Sequence, residues 1–80
     1  MDENIILSEV NSIFIEVFED KSIILNGNTT SDDVPAWDSL NHIQMINAVE
    51  KHFKIRFELN DLLNFTDVGG LCRGILKKMN

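Results

Sequence analysis

Apolar residues recur at helical spacing in three stretches of this chain and lose that spacing in a fourth. Ile6, Val10, Ile13, Phe14 and Val17 fall at i, i+4, i+7, i+8 and i+11, one face of a helix over about residues 4–18, and Ile5, Ile15 and Phe18 widen it. Its β-branched residues lower intrinsic propensity, so packing must stabilise it. Asp2 and Glu3 place negative charge where the helix dipole favours it. Leu40, Ile43, Ile46, Val49 and Phe53 recur at steps of three, three, three and four, which predicts a second helix over 39–53 with Asp38 as its N-cap. A last helix over about 67–78 carries Val68, Leu71, Cys72, Ile75, Leu76 and Met79 on its apolar face, with Thr66 to cap it and Lys77 and Lys78 at its C-terminal end. Gly69, Gly70 and Gly74 each cost that helix roughly 1 kcal/mol against Ala, so it must fray or pack closely. A short element covers Leu59 to Leu63.

Residues 19–37 lose the period. Asn26-Gly27-Asn28 signals a turn, Thr29 to Asp33 is a polar run, and Pro35 disfavours helix at Val34. Ile23, Ile24 and Leu25 are expected to pin part of this connection to the core. A connection of this length in a helical domain points to function. The predicted fold is an all-α four-helix bundle: three main helices, one short helix and a long loop after the first. Ile43, Ile46, Val49, Phe53, Phe57, Phe65, Val68, Leu71 and Ile75 are its expected core.

Composition narrows the function. Eighty residues with 44% hydrophobic content suit one domain over 1–80 with one core. A single cysteine, Cys72, excludes an internal disulfide, and one Cys with two His cannot close a thiolate–imidazole zinc site. Cys72 reads as a buried small hydrophobe. A net charge of −6 argues against binding nucleic-acid backbones. No apolar run approaches a membrane span, and the N-terminus is acidic where a secretory signal would be basic. The expectation is a cytoplasmic monomer, and the size favours a binding or carrier module over an enzyme.

The second predicted helix opens on Asp38-Ser39-Leu40, which sets a hydroxyl at the positive end of a helix just after a long accessible loop. A phosphate esterified to Ser39 would meet free backbone N–H groups there. Here the sequence resembles the acyl carrier proteins. Trp37-Asp38-Ser39-Leu40 with Asn41-His42-Ile43 is similar to that family's phosphopantetheine attachment motif, and Ala48-Val49-Glu50-Lys51-His52-Phe53 is similar to the end of its second helix. Phe57, Phe65 and Val68 fall at the family's apolar spacings, and the first helix and loop agree in length.

The resemblance implies that Ser39 receives 4′-phosphopantetheine from coenzyme A through a phosphopantetheinyl transferase. The chain then holds an acyl or related group as a thioester for partner enzymes and itself catalyses nothing. It also implies that Asp38 and Leu40 contact the transferase, that Asp38, Leu40, Asn41, Gln44, Met45, Asn47 and Lys51 belong to the partner-recognition surface, and that an acyl- or aminoacyl-loading ligase and acyl-using synthases or transferases are the partners. A peptidyl or aminoacyl carrier of the same fold is an alternative, and so is a helical interaction module that carries nothing. Asp38 and the acidic balance lean towards the acyl type.

Three departures from the fatty-acid carriers bear on the cargo and partners. Before Asp-Ser-Leu those proteins usually have an acidic pair, a Leu and Gly-Ala. This chain reads Asp32-Asp33-Val34-Pro35-Ala36-Trp37, with Pro or Trp in place of that Gly and one residue more. Their largely acidic helix II stripe is here Asp38, Asn41, Gln44, Asn47 and Lys51, so one charge is kept and one reversed. Phe57 and Phe65 stand where Ile is common around the acyl-sheltering cavity, which suggests a short, polar or aminoacyl cargo. Residues 1–38 hold nine acidic and one basic residue, whereas 39–80 hold four acidic and six basic. The expectation is a specialised carrier with dedicated partners, since charge pattern sets partner choice and on-rate.

Plainer readings apply elsewhere. Asp38, Ser39 and His42 have the residue types of a hydrolytic triad but lie along one helix, unsuited to a relay. His42 and His52 read as surface residues, Trp37 equally as a cap on the core or as a guide for partners, and Asp32-Asp33 as solvated charge without a calcium-loop pattern. No metal ligands are assigned.

Overall fold

In the computed structural model, which describes residues 2–63 and 65–79, the chain forms four helices: α1 (Glu3–Phe18), α2 (Ser39–Phe53), α3 (Leu59–Leu63) and α4 (Val68–Met79). A single 3-10 turn spans Ser31–Asp33, and no strand occurs among the described residues. Caps set these boundaries. The Asp2 carboxylate accepts from the Ile5 N–H at 2.9 Å, and Asp38 accepts from the Asn41 N–H at 2.8 Å. At α4 the cap is Asp67, not the expected Thr66: its carboxylate accepts from the Gly70 N–H at 2.7 Å. Asp67 is the residue next to the first helical position, and only from there does a short side chain reach the N–H three residues on. Helices α1 and α2 end at left-handed Glu19 (φ 54°) and Lys54 (φ 58°).

Helix α1 packs against both α2 and α4. It buries Ile6, Val10, Ile13, Phe14 and Phe18, while Val17 is half-buried and Ile5 exposed. Helix α4 buries Val68, Gly69, Leu71, Cys72 and Ile75, and Met79 is exposed. Phe57 and Phe65 are half-buried and pack against this core.

Helix α2 is rotated from its expected orientation. Its buried residues are Met45, Ile46, Val49 and Phe53, whereas Ile43 is 60% exposed and Leu40 65%. The expectation that Ile43 joins the core is therefore wrong. The reason is geometric: each step of three residues falls about 60° short of a full turn, so Ile43 and Leu40 drift progressively off the face that Val49 and Phe53 define. Met45, four residues before Val49, lies on that face instead.

The connection from α1 to α2 is anchored along its length. Ile23 and Leu25 are buried and Ile24 is 88% exposed, since alternate side chains of an extended segment point to opposite sides. Asn11, inside α1, grips this segment with both ends of its amide, donating to the Ile23 carbonyl at 3.2 Å and accepting from the Leu25 N–H at 2.6 Å. Thr30 and Asp33 close a capping box over the 3-10 turn.

Further along, α4 itself seals the connection. The Val68 and Gly69 N–H groups donate to the Thr29 and Gly27 carbonyls, both at 2.9 Å. Two of the α4 glycines are thereby explained. A Cβ on Gly69 would sit 2.7 Å from the Gly27 carbonyl oxygen, and one on Gly74 2.7 Å from the Phe65 ring. Cys72 is buried in the same helix, and burial, with Glu3 nearby, pushes its thiol pKa up to about 11.

Gly69→Ala tests the close approach. Helix propensity alone would make this change stabilising by about 1 kcal/mol. We expect instead a net loss of about 1–3 kcal/mol, because the obstructing atom is backbone. It would be read as a lower denaturant midpoint at an unchanged slope.

Candidate functional site

The chain enters α2 through a short, tightly bonded approach. The Trp37 N–H donates to the Val34 carbonyl at 2.9 Å, and the Asp38 N–H donates to the Ala36 carbonyl at 3.0 Å. The Asn41 amide donates to that same Ala36 carbonyl at 2.7 Å. The Trp37 ring meets Phe14 edge-on at 5.0 Å and Phe18 at a tilt at 6.5 Å, tying the start of α2 to α1. Trp37 does cap the core, and it also bonds outward: its Nε1–H donates to His42 Nδ1 at 2.9 Å, and the two rings lie edge to edge within 16° of parallel, their centroids 6.0 Å apart.

Ser39 is the first residue of α2 and is exposed. No acidic residue follows it in the first turn. The Asn41 and His42 N–H groups are taken by the Asp38 side chain and carbonyl, while among the described residues those of Ser39 and Leu40 find no protein acceptor. The hydroxyl therefore stands at the positive end of a helix dipole with two donors unspent. Beside it an open cleft of about 580 Å³ is lined by Ser31, Trp37, Asp38, Ser39, His42, Ile43, Phe65 and Thr66. Phe65 meets Phe57 edge-on at 5.0 Å behind this wall.

The remaining residues expected on the surface separate into three groups. Asp38, Leu40, Gln44, Asn47 and Lys51 are exposed. Asn41 is half-buried and spends its amide on Ala36. Met45 is fully buried; it belongs to the core and cannot form part of a docking surface. The unexpected feature is the Trp37–His42 pair. His42 is half-buried rather than a plain surface residue. Its position three residues after Ser39, on one helix face, was the available signal. The bond from Trp37 also rules out a relay, because the nitrogen that Asp38 would have to orient is already engaged. Among the described residues no three His, Cys, Asp or Glu side chains gather as a metal site requires.

Known proteins place this geometry. A family model described as the phosphopantetheine attachment site matches residues 37–75. The chain is similar to the solution structure of a holo acyl carrier protein from Geobacter metallireducens, at 41% identity and a TM-score of 0.87, over 91% of this chain and 84% of that one. No curated protein sequence matched. The chain belongs to the acyl carrier protein family. It is a phosphopantetheine-carrying acyl carrier protein, with 4′-phosphopantetheine bound covalently, and it works with a phosphopantetheinyl transferase and with carrier-using enzymes. Carriers of this family are generally not enzymes. No helix among the described residues is long and apolar enough to cross a membrane.

Burial also pushes the His42 pKa below its ordinary 6.5. The unfolded chain then binds a proton in a pH range where the folded chain does not, so stability falls as pH drops through 6.5 towards the folded value. Urea midpoints measured between pH 7.5 and 5.5 should decline in the wild type. The decline should be smaller in His42→Gln.

Proposed function

We propose that Ser39 is the attachment point and that this chain is a specialised carrier rather than the central fatty-acid one. The observation that carries the first part is the exposed Ser39 hydroxyl on the first residue of α2, inside the matched stretch 37–75. The site suits the group. The unspent Ser39 and Leu40 N–H groups suit a phosphodiester, and the cleft offers Trp37, Ile43 and Phe65 to the apolar parts of the arm and Ser31 and Thr66 to its amides. When bound, the arm supplies a terminal thiol that holds the acyl group as a thioester. The protein's own residues orient the attachment and present it, and this chain performs no catalysis.

Asp38 with exposed Leu40 and Ile43 forms the surface next to Ser39 that a transferase would meet. The outward stripe of Gln44, Asn47 and Lys51 lacks the negative charge that basic partner surfaces select, which supports dedicated partners, among them a loading ligase and acyl-using synthases or transferases. The edge contact of Phe57 on Phe65 fills space that a long acyl chain would need, which supports a short, polar or aminoacyl cargo. The single buried cluster shared by α1, α2 and α4 supports one domain over 1–80, and the carrier is proposed to act as a cytoplasmic monomer.

Incubation with coenzyme A and a broad-specificity transferase should add the mass of one phosphopantetheine to the wild type and nothing to Ser39→Ala. Gain in the variant, or in neither protein, overturns the assignment. The partner and cargo readings are tested on the loaded carrier. A general fatty-acid ketosynthase should use it at least roughly tenfold less efficiently than it uses an acidic-stripe carrier, as expected when complementary charge is missing. Long acyl chains should leave the Phe57 and Phe65 NMR signals near their unloaded positions. Equal use, or large shifts at both rings, would count against a specialised short-cargo carrier.

A further inference from the structure

The hydrogen bond from Trp37 to His42 has a chemical effect on the side of the imidazole that faces away from it. A neutral imidazole carries one N–H and one acceptor nitrogen. The indole Nε1–H can only donate, and it donates to Nδ1 at 2.9 Å, so Nδ1 is the acceptor and the proton must sit on Nε2. Burial disfavours the charged imidazole, so the ring stays neutral, and the bond from Trp37 selects its tautomer. Among the described residues Nε2 has no hydrogen-bond partner, and it is not sealed from solvent. His42 lines the cleft that also contains Ser39, three residues earlier and hence on the same helix face. The hydrogen bond joins the two rings edge to edge within 16° of parallel, and this sets the imidazole plane. The result is a preoriented neutral donor lining the same cleft as the hydroxyl, on a helix whose first turn adds no acidic side chain to the Asp38 cap.

We propose that His42 is a binding residue for the prosthetic group, its Nε2–H donating to a phosphodiester oxygen on Ser39, with Trp37 as the residue that positions it. This rests on the reading of Ser39 as the attachment point. The anionic oxygen is the natural acceptor: it lies within two bonds of the Ser39 Oγ, and a hydrogen bond to a charged group is about twice as strong as a neutral one. Trp37 thus links the α1 core, through Phe14, to the direction in which the arm leaves the protein.

The test compares apo and holo protein, with holo forms made from coenzyme A and checked by mass. Long-range 1H–15N spectra of the histidine rings should show His42 protonated at Nε2 in the apo form, with the Nε2 signal shifting on conversion to holo. The 31P resonance of the phosphodiester should move in holo His42→Phe. It should stay near the wild-type position in His42→Gln, which keeps an N–H donor. Trp37→Phe should mix the two tautomers and move the 31P signal part of the way. A wild-type Nε2 signal unchanged between apo and holo overturns the proposal even if His42→Phe fails to fold. A 31P signal identical in folded wild type and His42→Phe overturns it as well. Either result with the mass gain intact leaves Ser39 as the attachment point, whereas a missing mass gain overturns both readings.

Discussion

A connection of twenty residues, Glu19 to Asp38, has to be held still without an α-helix or strand of its own, and the position of Ser39 depends on it. The chain solves this with three kinds of anchor. Asn11 pairs with the backbone at Ile23 and Leu25 much as a neighbouring strand would. The first N–H groups of α4, which any helix leaves unpaired, are spent on the Thr29 and Gly27 carbonyls. Trp37 closes the far end against Phe14 and Phe18. Two of the anchors lie on α1 and one on α4, so the loop is ordered only when these helices are assembled. The site is therefore a product of the whole fold rather than of the local motif.

The same economy shapes the helix that carries the site. Only one face of α2 faces the core, and its first two turns spend apolar residues, Leu40 and Ile43, on the outside. Side chains of this size beside the hydroxyl are the kind that a bound arm or a docking protein covers. The acidic residues lie mostly in the first 38 positions and the basic ones mostly after them.

Much of this was legible in the sequence, because helices announce themselves through period and caps. Asp38 marked the start of α2 and the apolar steps marked its end, so the bounds 39–53 match the structure. The rotation of α2 was not legible. A run of three-residue steps fits two adjacent faces, and only contact with α1 decides between them, which is why the spacing alone points Ile43 inward and Met45 outward. Thr66 and Asp67 are both good caps, and the choice between them depends on where α4 docks on the loop. The grip of Asn11 joins residues 12 and 14 positions apart, and the bond from Trp37 to His42 joins a loop to a helix. Such pairings leave no periodic trace. The clues that did exist were local misfits: an Asn inside an apolar helix, and glycines in α4 whose cost had to be offset by close packing.

Cys72 has a consequence for chemical bookkeeping in a protein that handles thioesters. A thioester exchanges readily with any thiolate that can reach it, and the acyl group would then be stranded on a side chain no partner recognises. Buried beneath α1, with its proton held to about pH 11, Cys72 offers neither access nor thiolate at neutral pH. The fold can thus keep a cysteine as packing material and still leave the cargo a single sulfur to ride on.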